Sequence, residues 1–371
     1  MSSSLGTPIS RLAVFGWFAS GSRCATCRRH AEERCAPSAR LTATGAVTRS
    51  VSDGFRFGSR PRISAVGAGF KTARSSRKLV LLVLLAAAAF APCVRAQGRA
   101  ECRSAPSKIV GHPVPYCVIV PPSYDSQKTE RYPVLYFLHG LGGSSQSFVD
   151  SGGLNAVEDL WQQKQIKEFL IVTPDAGRSF YVNSRDGRIR YEDFFIREFI
   201  PFIESHYRVR AGRRDRGISG VSMGGYGALR FAFRYPDLFG SVSAHSAALV
   251  EKSPIAGISG AQEMGISRFL GSAFGIPFDV AYWQRETPFT IVRNSPRPFP
   301  MPKGGLQIYF DCGTDDNYGF NAGAQAFHDL LVSRKIPHEF HLYPGAHDWS
   351  YFAAHLPASL EFHSRAFNAA R

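Results

Sequence analysis

Methionine is scarce in this chain of 371 residues: there are 4, and none lies between Met1 and Met223. A start within that span therefore needs a non-Met codon. Acidic residues are scarce at the front, where residues 1–96 hold 3 Asp plus Glu against 15 Lys plus Arg. That segment accounts for +12 of the formal net charge of +15 and leaves the remainder near +3. A nucleic-acid-binding reading built on global charge fails for this reason, because the basic excess lies in a stretch unlikely to fold. Also missing is an apolar run of the roughly 20 residues that a stable membrane span needs. The run from Leu79 to Ala91 has 13. No internal repeat is visible, which excludes solenoids and arrays.

What the front does contain is a secretory pattern. Arg77-Lys78 precedes the apolar run, and Pro92-Cys93-Val94-Arg95-Ala96 follows it. A basic n-region, a short h-region and a small residue at Ala96 predict a signal peptide over 78–96, cut after Ala96. Cys93 follows Pro92 rather than a small residue, which argues against a lipoprotein anchor. The competing reading of the run is an uncleaved anchor or a buried helix. Residues 1–77 are then expected to be a disordered leader or a misassigned start, and 97–371 the mature domain, secreted or periplasmic. In the leader, Cys24, Cys27, His30 and Cys35 have a spacing too short for the usual zinc knuckle. In the mature part, Cys102 and Cys117 are the expected disulfide pair in an oxidising compartment, and Cys312 a buried packing residue.

The mature part alternates short apolar runs with helical patterns. Strands are predicted over 115–121, 132–138, 168–174, 216–221, 239–245, 306–311 and 339–343. Helices are predicted over 191–207, 226–235, 322–334 and 350–367. Such alternation predicts an α/β fold, a mostly parallel sheet covered by helices on both faces. Residues 250–303 break the rhythm with Gly, Pro and aromatics, including Phe269, Phe274, Tyr282 and Trp283. They read as a lid-like insertion over a site or as a surface excursion with its own small core.

Gly220-Val221-Ser222-Met223-Gly224 is a G-x-S-x-G pentapeptide between a predicted strand and a predicted helix. In that setting the serine stands on a sharp turn with its oxygen exposed, and side chains at the flanking glycines would clash. A serine nucleophile needs a base to take its proton and an acid to orient that base, here in the order Ser, acid, His. His347 lies on the loop after the last strand. Asp316 follows the G-x-x-D spacing after Gly313 and is the expected acid, with Asp315 and Asp311 as competitors. The loop 139–143, His-Gly-Leu-Gly-Gly, follows the second predicted strand. It offers the Leu141 N–H, alongside that of Met223, to a tetrahedral oxyanion. Ser222, Asp316 and His347 would converge at the carboxyl ends of the strands.

Four blocks together resemble the esterase D family of α/β-hydrolases, which contains S-formylglutathione hydrolases, feruloyl and acetylxylan esterases and mycolyltransferases. They are Leu138-His139-Gly140-Leu141-Gly142-Gly143; Ser222 through Leu229; Pro236-Asp237-Leu238-Phe239-Gly240; and Pro344-Gly345-Ala346-His347-Asp348-Trp349. The resemblance covers roughly 106 to the end of the chain and implies the α/β-hydrolase fold. It also implies a Ser222–His347–Asp316 triad and an oxyanion hole at Leu141 and Met223. The expected function is a secreted serine carboxylesterase acting on short acyl or aryl esters, free or linked to polysaccharide. No metal or organic cofactor is implied, because the serine mechanism supplies its own nucleophile and electrophilic stabilisation. A secretory signal argues against a cytosolic glutathione thioester. Acyl transfer to an alcohol and a catalytically idle binding protein on the same fold are the other readings.

Overall fold

The apolar runs become strands of one sheet in the computed structural model, which describes residues 97–297, 299–300 and 304–369. The leader, the signal segment and the Cys24, Cys27, His30, Cys35 cluster lie outside the described residues. The strands are β1 (Arg99–Ala105), β2 (Val114–Val120), β3 (Val134–Leu138), β4 (Leu170–Pro174), β5 (Arg216–Gly220), β6 (Ser241–His245), β7 (Gln307–Gly313) and β8 (Glu339–Tyr343). Their spatial order is β1-β2-β4-β3-β5-β6-β7-β8. β1 and β2 are antiparallel to their neighbours, and from β4 through β8 every pairing is parallel. β3, β4, β5 and β6 are buried along their whole length, as expected of parallel strands covered on both faces.

The helices are α1 (Ser147–Asp150), α2 (Gly153–Gln162), α3 (Tyr191–Phe194), α4 (Ile200–His206), α5 (Met223–Arg234), α6 (Ala261–Phe274), α7 (Val280–Glu286), α8 (Pro288–Asn294), α9 (Phe320–Ser333) and α10 (Trp349–Asn368). A π-helical turn, Phe195–Phe199, joins α3 to α4, so the helix predicted over 191–207 is present but locally widened. Alternation along the strands feeds two cores. Tyr136 and Leu138 of β3 pack with Phe195, Phe231 and Phe327 on one face. Leu135 and Phe137 pack with Trp161 of α2 and Leu360 of α10 on the other. Among the described residues no helix is long and apolar enough to cross a membrane.

Outside the 250–303 segment and the single turn α1, two elements are not legible in the sequence. β1 reads Arg-Ala-Glu-Cys-Arg-Ser-Ala and carries its charges along an exposed sheet edge, where they discourage further strand pairing. Cys102 on β1 stands opposite Cys117 on β2, and the two form a disulfide, the expected pair. The second is α2, whose Val157, Leu160 and Trp161 face the core while its other side is polar. Cys312 is buried within β7, as expected.

The 250–303 segment folds into α6, α7 and α8. Phe274, Trp283, Phe289 and Val292 join the sheet's own core rather than forming a separate one. The junction is ionic. Arg230 of α5, fully buried, donates to Glu192 of α3 at 2.6 Å and pairs with Glu286 of α7. Arg234 reaches Glu286 at 2.9 Å and Glu192 at 3.2 Å. Burial works against the Arg230 charge, but the two carboxylates overcome it and hold the guanidinium protonated. Breaking a buried pair from one side strands the other charge. Arg230→Met is therefore expected to lower unfolding stability by about 3–5 kcal/mol in urea titrations, with faster proteolysis within 250–303. A loss under about 1 kcal/mol would show that the network does not fasten the insertion.

Candidate active site

Ser222 leaves β5 through an abrupt turn and has φ 55° and ψ −117°, a left-handed conformation rare for a residue with a side chain. The turn closes because its glycines allow backbone contact. A Cβ on Gly224 would lie 2.0 Å from the Leu138 carbonyl oxygen, and one on Gly220 would lie 2.4 Å from the Gly224 carbonyl carbon. The Ser222 N–H donates to the His245 carbonyl at 3.0 Å, and the Ser222 carbonyl accepts from Tyr226 and Ala248, each at 3.0 Å. Ser222, the strand end and the helix start are thus tied together.

His347 lies between β8 and α10. Its Nε2 is 2.9 Å from Ser222 Oγ and its Nδ1 is 2.7 Å from Asp316 Oδ2. Asp316 is 7% exposed and also accepts from the N–H groups of Tyr318 at 3.0 Å and Phe320 at 3.4 Å. Burial pushes its carboxyl up, but the hydrogen bond and attraction of His347 and the two amides outweigh this and hold it below the ordinary carboxylate range. An ionised Asp316 only accepts, so Nδ1 carries the proton and Nε2 is left to accept from the Ser222 hydroxyl. The rings of Tyr318, Phe320 and Phe352 stand edge-on to the imidazole at 4.8, 5.3 and 5.4 Å between centroids.

The competing acids sit elsewhere. Asp315 is exposed beside Thr314. Asp311 is buried within β7, where it accepts from His245 Nδ1 at 2.8 Å and from the Tyr351 hydroxyl at 2.8 Å. His245 Nε2 lies 2.8 Å from Ser359 Oγ of α10. His363 of α10 bridges Ser241 and Ser243 of β6, and burial with His245 nearby pushes its pKa down to about 3. Sequence reading missed this polar seam, because it treated 239–245 as one more apolar strand.

Leu141 and Met223 both line a cavity of about 590 Å³ that opens over Ser222 and His347. The Met223 N–H lies in the first turn of α5, where helical amides have no intrahelical acceptor. The 139–143 loop is braced from behind. His139 donates from Nδ1 to the Gly140 carbonyl at 2.8 Å and accepts at Nε2 from the Ala176 N–H at 2.9 Å. Burial lowers the His139 pKa, which favours the neutral ring this pattern needs. The far walls are largely aromatic, with Phe180, Phe269, Tyr318, Trp349 and Phe352. Arg178 and Phe180 had no sequence signal. Phe180 and Tyr181 both have positive φ, 51° and 58°, and Tyr181 donates to the His139 carbonyl at 2.9 Å. Among the described residues no group of three or more His, Cys, Asp or Glu could hold a metal ion.

Comparison with known proteins agrees with this architecture. The family model Esterase, described as "Putative esterase", matches residues 107–363. The chain is 31% identical over 254 residues to Esterase Rv1288 of Mycobacterium tuberculosis, covering 62% of this chain and 51% of that protein. It thus spans about half the length of that relative. The acetyl esterase of Caldicellulosiruptor saccharolyticus is 26% identical over 239 residues, covering 64% of this chain and 85% of that protein. A solved structure of a ferulic acid esterase superposes with a TM-score of 0.58 at 28% identity, covering 73% of this chain and 99% of that one.

The seam beneath the site bears on stability. Tyr351→Phe leaves Asp311 Oδ1 without its buried donor, so a loss of about 1–3 kcal/mol is expected in chemical denaturation. An unchanged midpoint would show that the hydroxyl contributes nothing there.

Proposed function

The chain belongs to the esterase family and is an ester hydrolase of the α/β-hydrolase fold; from this premise we propose that it is a secreted or periplasmic serine carboxylesterase. The observation that carries this reading is the chain of hydrogen bonds Asp316–His347–Ser222 at the floor of the cavity. In the proposed reaction His347 Nε2 takes the Ser222 proton as Oγ attacks the ester carbonyl. The N–H groups of Leu141 and Met223 receive the negative oxygen. On collapse, His347 returns the proton to the leaving alcohol and an acyl-enzyme remains. Water, deprotonated by the same imidazole, then attacks the acyl carbonyl and releases the acid and Ser222. Asp316 keeps the ring in the tautomer this cycle needs, and its carboxyl, held below the ordinary carboxylate range, stays ionised as the pH falls toward that range.

Export is supported by the signal pattern over 78–96 and by the Cys102–Cys117 disulfide, a bond favoured outside a reducing cytosol. The aromatic walls favour a flat acyl or alcohol group, which makes aromatic-acid esters on plant polysaccharide the second reading, beside short acyl esters.

Ser222→Ala and His347→Ala should each lower kcat on 4-nitrophenyl acetate by about 10⁴-fold or more while the circular dichroism spectrum is retained. Asp315→Asn should keep most of the activity that Asp316→Asn loses. Turnover that survives in Ser222→Ala would refute the nucleophile assignment.

A further inference from the structure

The cavity above Ser222 is lined by glycines, aromatics and the reacting groups, with one arginine and one acid among its lining residues. The acid, Asp348, is engaged: it caps α10 by accepting from the Tyr351 N–H at 3.0 Å and takes the Ser350 hydroxyl at 2.5 Å. The arginine is different. Arg178 is exposed, lies over the Phe269 ring at 4.9 Å and donates one Nη2–H to the Phe269 carbonyl at 2.9 Å. No ion pair joins it to a carboxylate among the described residues. Four other arginines on or against the 250–303 segment are neutralised: Arg185 by Asp279, Arg230 and Arg234 by Glu192 and Glu286, and Arg293 by Glu251. Among the described residues Arg268, Arg285 and Arg297 of the segment likewise make no ion pair with a carboxylate; what sets Arg178 apart is that it lines the cavity.

A guanidinium offers five N–H donors in one plane, so a single bond to a backbone oxygen leaves a fork to receive a planar anion. The ring beneath it and the bond to the Phe269 carbonyl fix that plane. The chain on either side is held as well, because the Arg178 carbonyl accepts from Ser272 of α6 at 2.9 Å. A cation at the wall of a partly enclosed, aromatic-walled cavity attracts anions more strongly than one in open water.

We propose that Arg178 is an anion subsite of this cavity, so that the preferred substrates are esters carrying a second, free carboxylate. This rests on the serine esterase reading above. The carboxylate sits on the acyl side in a half-ester of a dicarboxylic acid, or on the alcohol side in an ester of a hydroxy acid. The reaction is unchanged: the bond broken is the ester C–O, and the carboxylate only positions the substrate.

The test compares matched pairs. For the acyl side the pair is 4-nitrophenyl hydrogen succinate and its neutral methyl ester. For the alcohol side it is 3-acetoxybenzoate and methyl 3-acetoxybenzoate. In the wild type at least one charged member should exceed its neutral partner in kcat/KM, and the pair that does so identifies the side. Arg178→Gln should reduce that charged-to-neutral ratio about tenfold, and Arg178→Lys should restore part of it. A ratio unaltered by Arg178→Gln overturns the subsite, whether both esters slow together, as loss of an anchor for α6 would cause, or neither changes. Binding is read separately by calorimetry with the amide isostere for the side so identified, N-benzylsuccinamate for the acyl side or 3-acetamidobenzoate for the alcohol side. Wild type should bind it about tenfold more tightly than Arg178→Gln, and equal affinities count against the subsite. Because that arm needs no turnover, failure of the esterase reading in Ser222→Ala remains distinguishable from failure of this one.

Discussion

The site depends on one close backbone approach, in which the Gly224 main chain lies against the Leu138 carbonyl at the end of the adjacent strand. With β3 and β5 in parallel register, Leu138 opposite Gly220, there is no room for a side chain at either glycine. The chain can reverse from strand to helix there only if Ser222 accepts a positive φ, and the hydrogen bonds to His245, Tyr226 and Ala248 hold it in that conformation. The result points Oγ outward into the cavity and sets the first amides of α5 beside it. The cost of the strained conformation is met by packing over the whole of α5, which is buried from Met223 through Phe233.

The sequence disclosed those features that backbone geometry imposes on composition. Glycines at 220 and 224 are demanded by contact, so the motif is visible. The apolar runs of β3 and β4 are demanded by two-sided burial, and these strands begin within two residues of their predicted starts. Spacing favours Asp316 over Asp315, and the structure places Asp316 against His347 and leaves Asp315 in solvent. What stayed hidden is what tertiary pairing decides. β1 has no apolar pattern because only its pairing with β2 and the disulfide hold it. The left-handed aromatics Phe180 and Tyr181 follow no local rule and persist because the cavity wall and the His139 carbonyl fix them.

The 250–303 segment shows how charge organises what composition could not. Its readings as a cover over the site and as a body with its own core differ in whether it shares the sheet's interior. It does share it, through Phe274, Trp283 and Phe289, and the buried Arg230 cluster locks that arrangement from the α5 side. The helix that begins beside Ser222 therefore also carries the anchor of the segment whose Phe269 walls the cavity. Displacing the segment would strand two carboxylates and a guanidinium in apolar surroundings, so its attachment is enforced more by what separation would leave unpaired than by the attraction itself.

β7 and the loop beyond it carry two aspartates five residues apart, each bonded to a histidine that in turn meets a serine. Asp311, His245 and Ser359 form one set; Asp316, His347 and Ser222 form the other. In residue types the sets are alike, and only their positions separate them. His245 ends a strand and Ser359 lies inside α10, both at 0% exposure, so no substrate carbonyl can reach that serine. His347 and Ser222 lie on turns beyond strand ends, where the sheet stops and the cavity begins. The buried set serves the open one indirectly: it ties α10, which starts two residues after His347, to β6 and β7. Only the Asp316–His347–Ser222 set, at the carboxyl edge of the sheet, is open to a substrate, and its enclosed counterpart is left with cohesion.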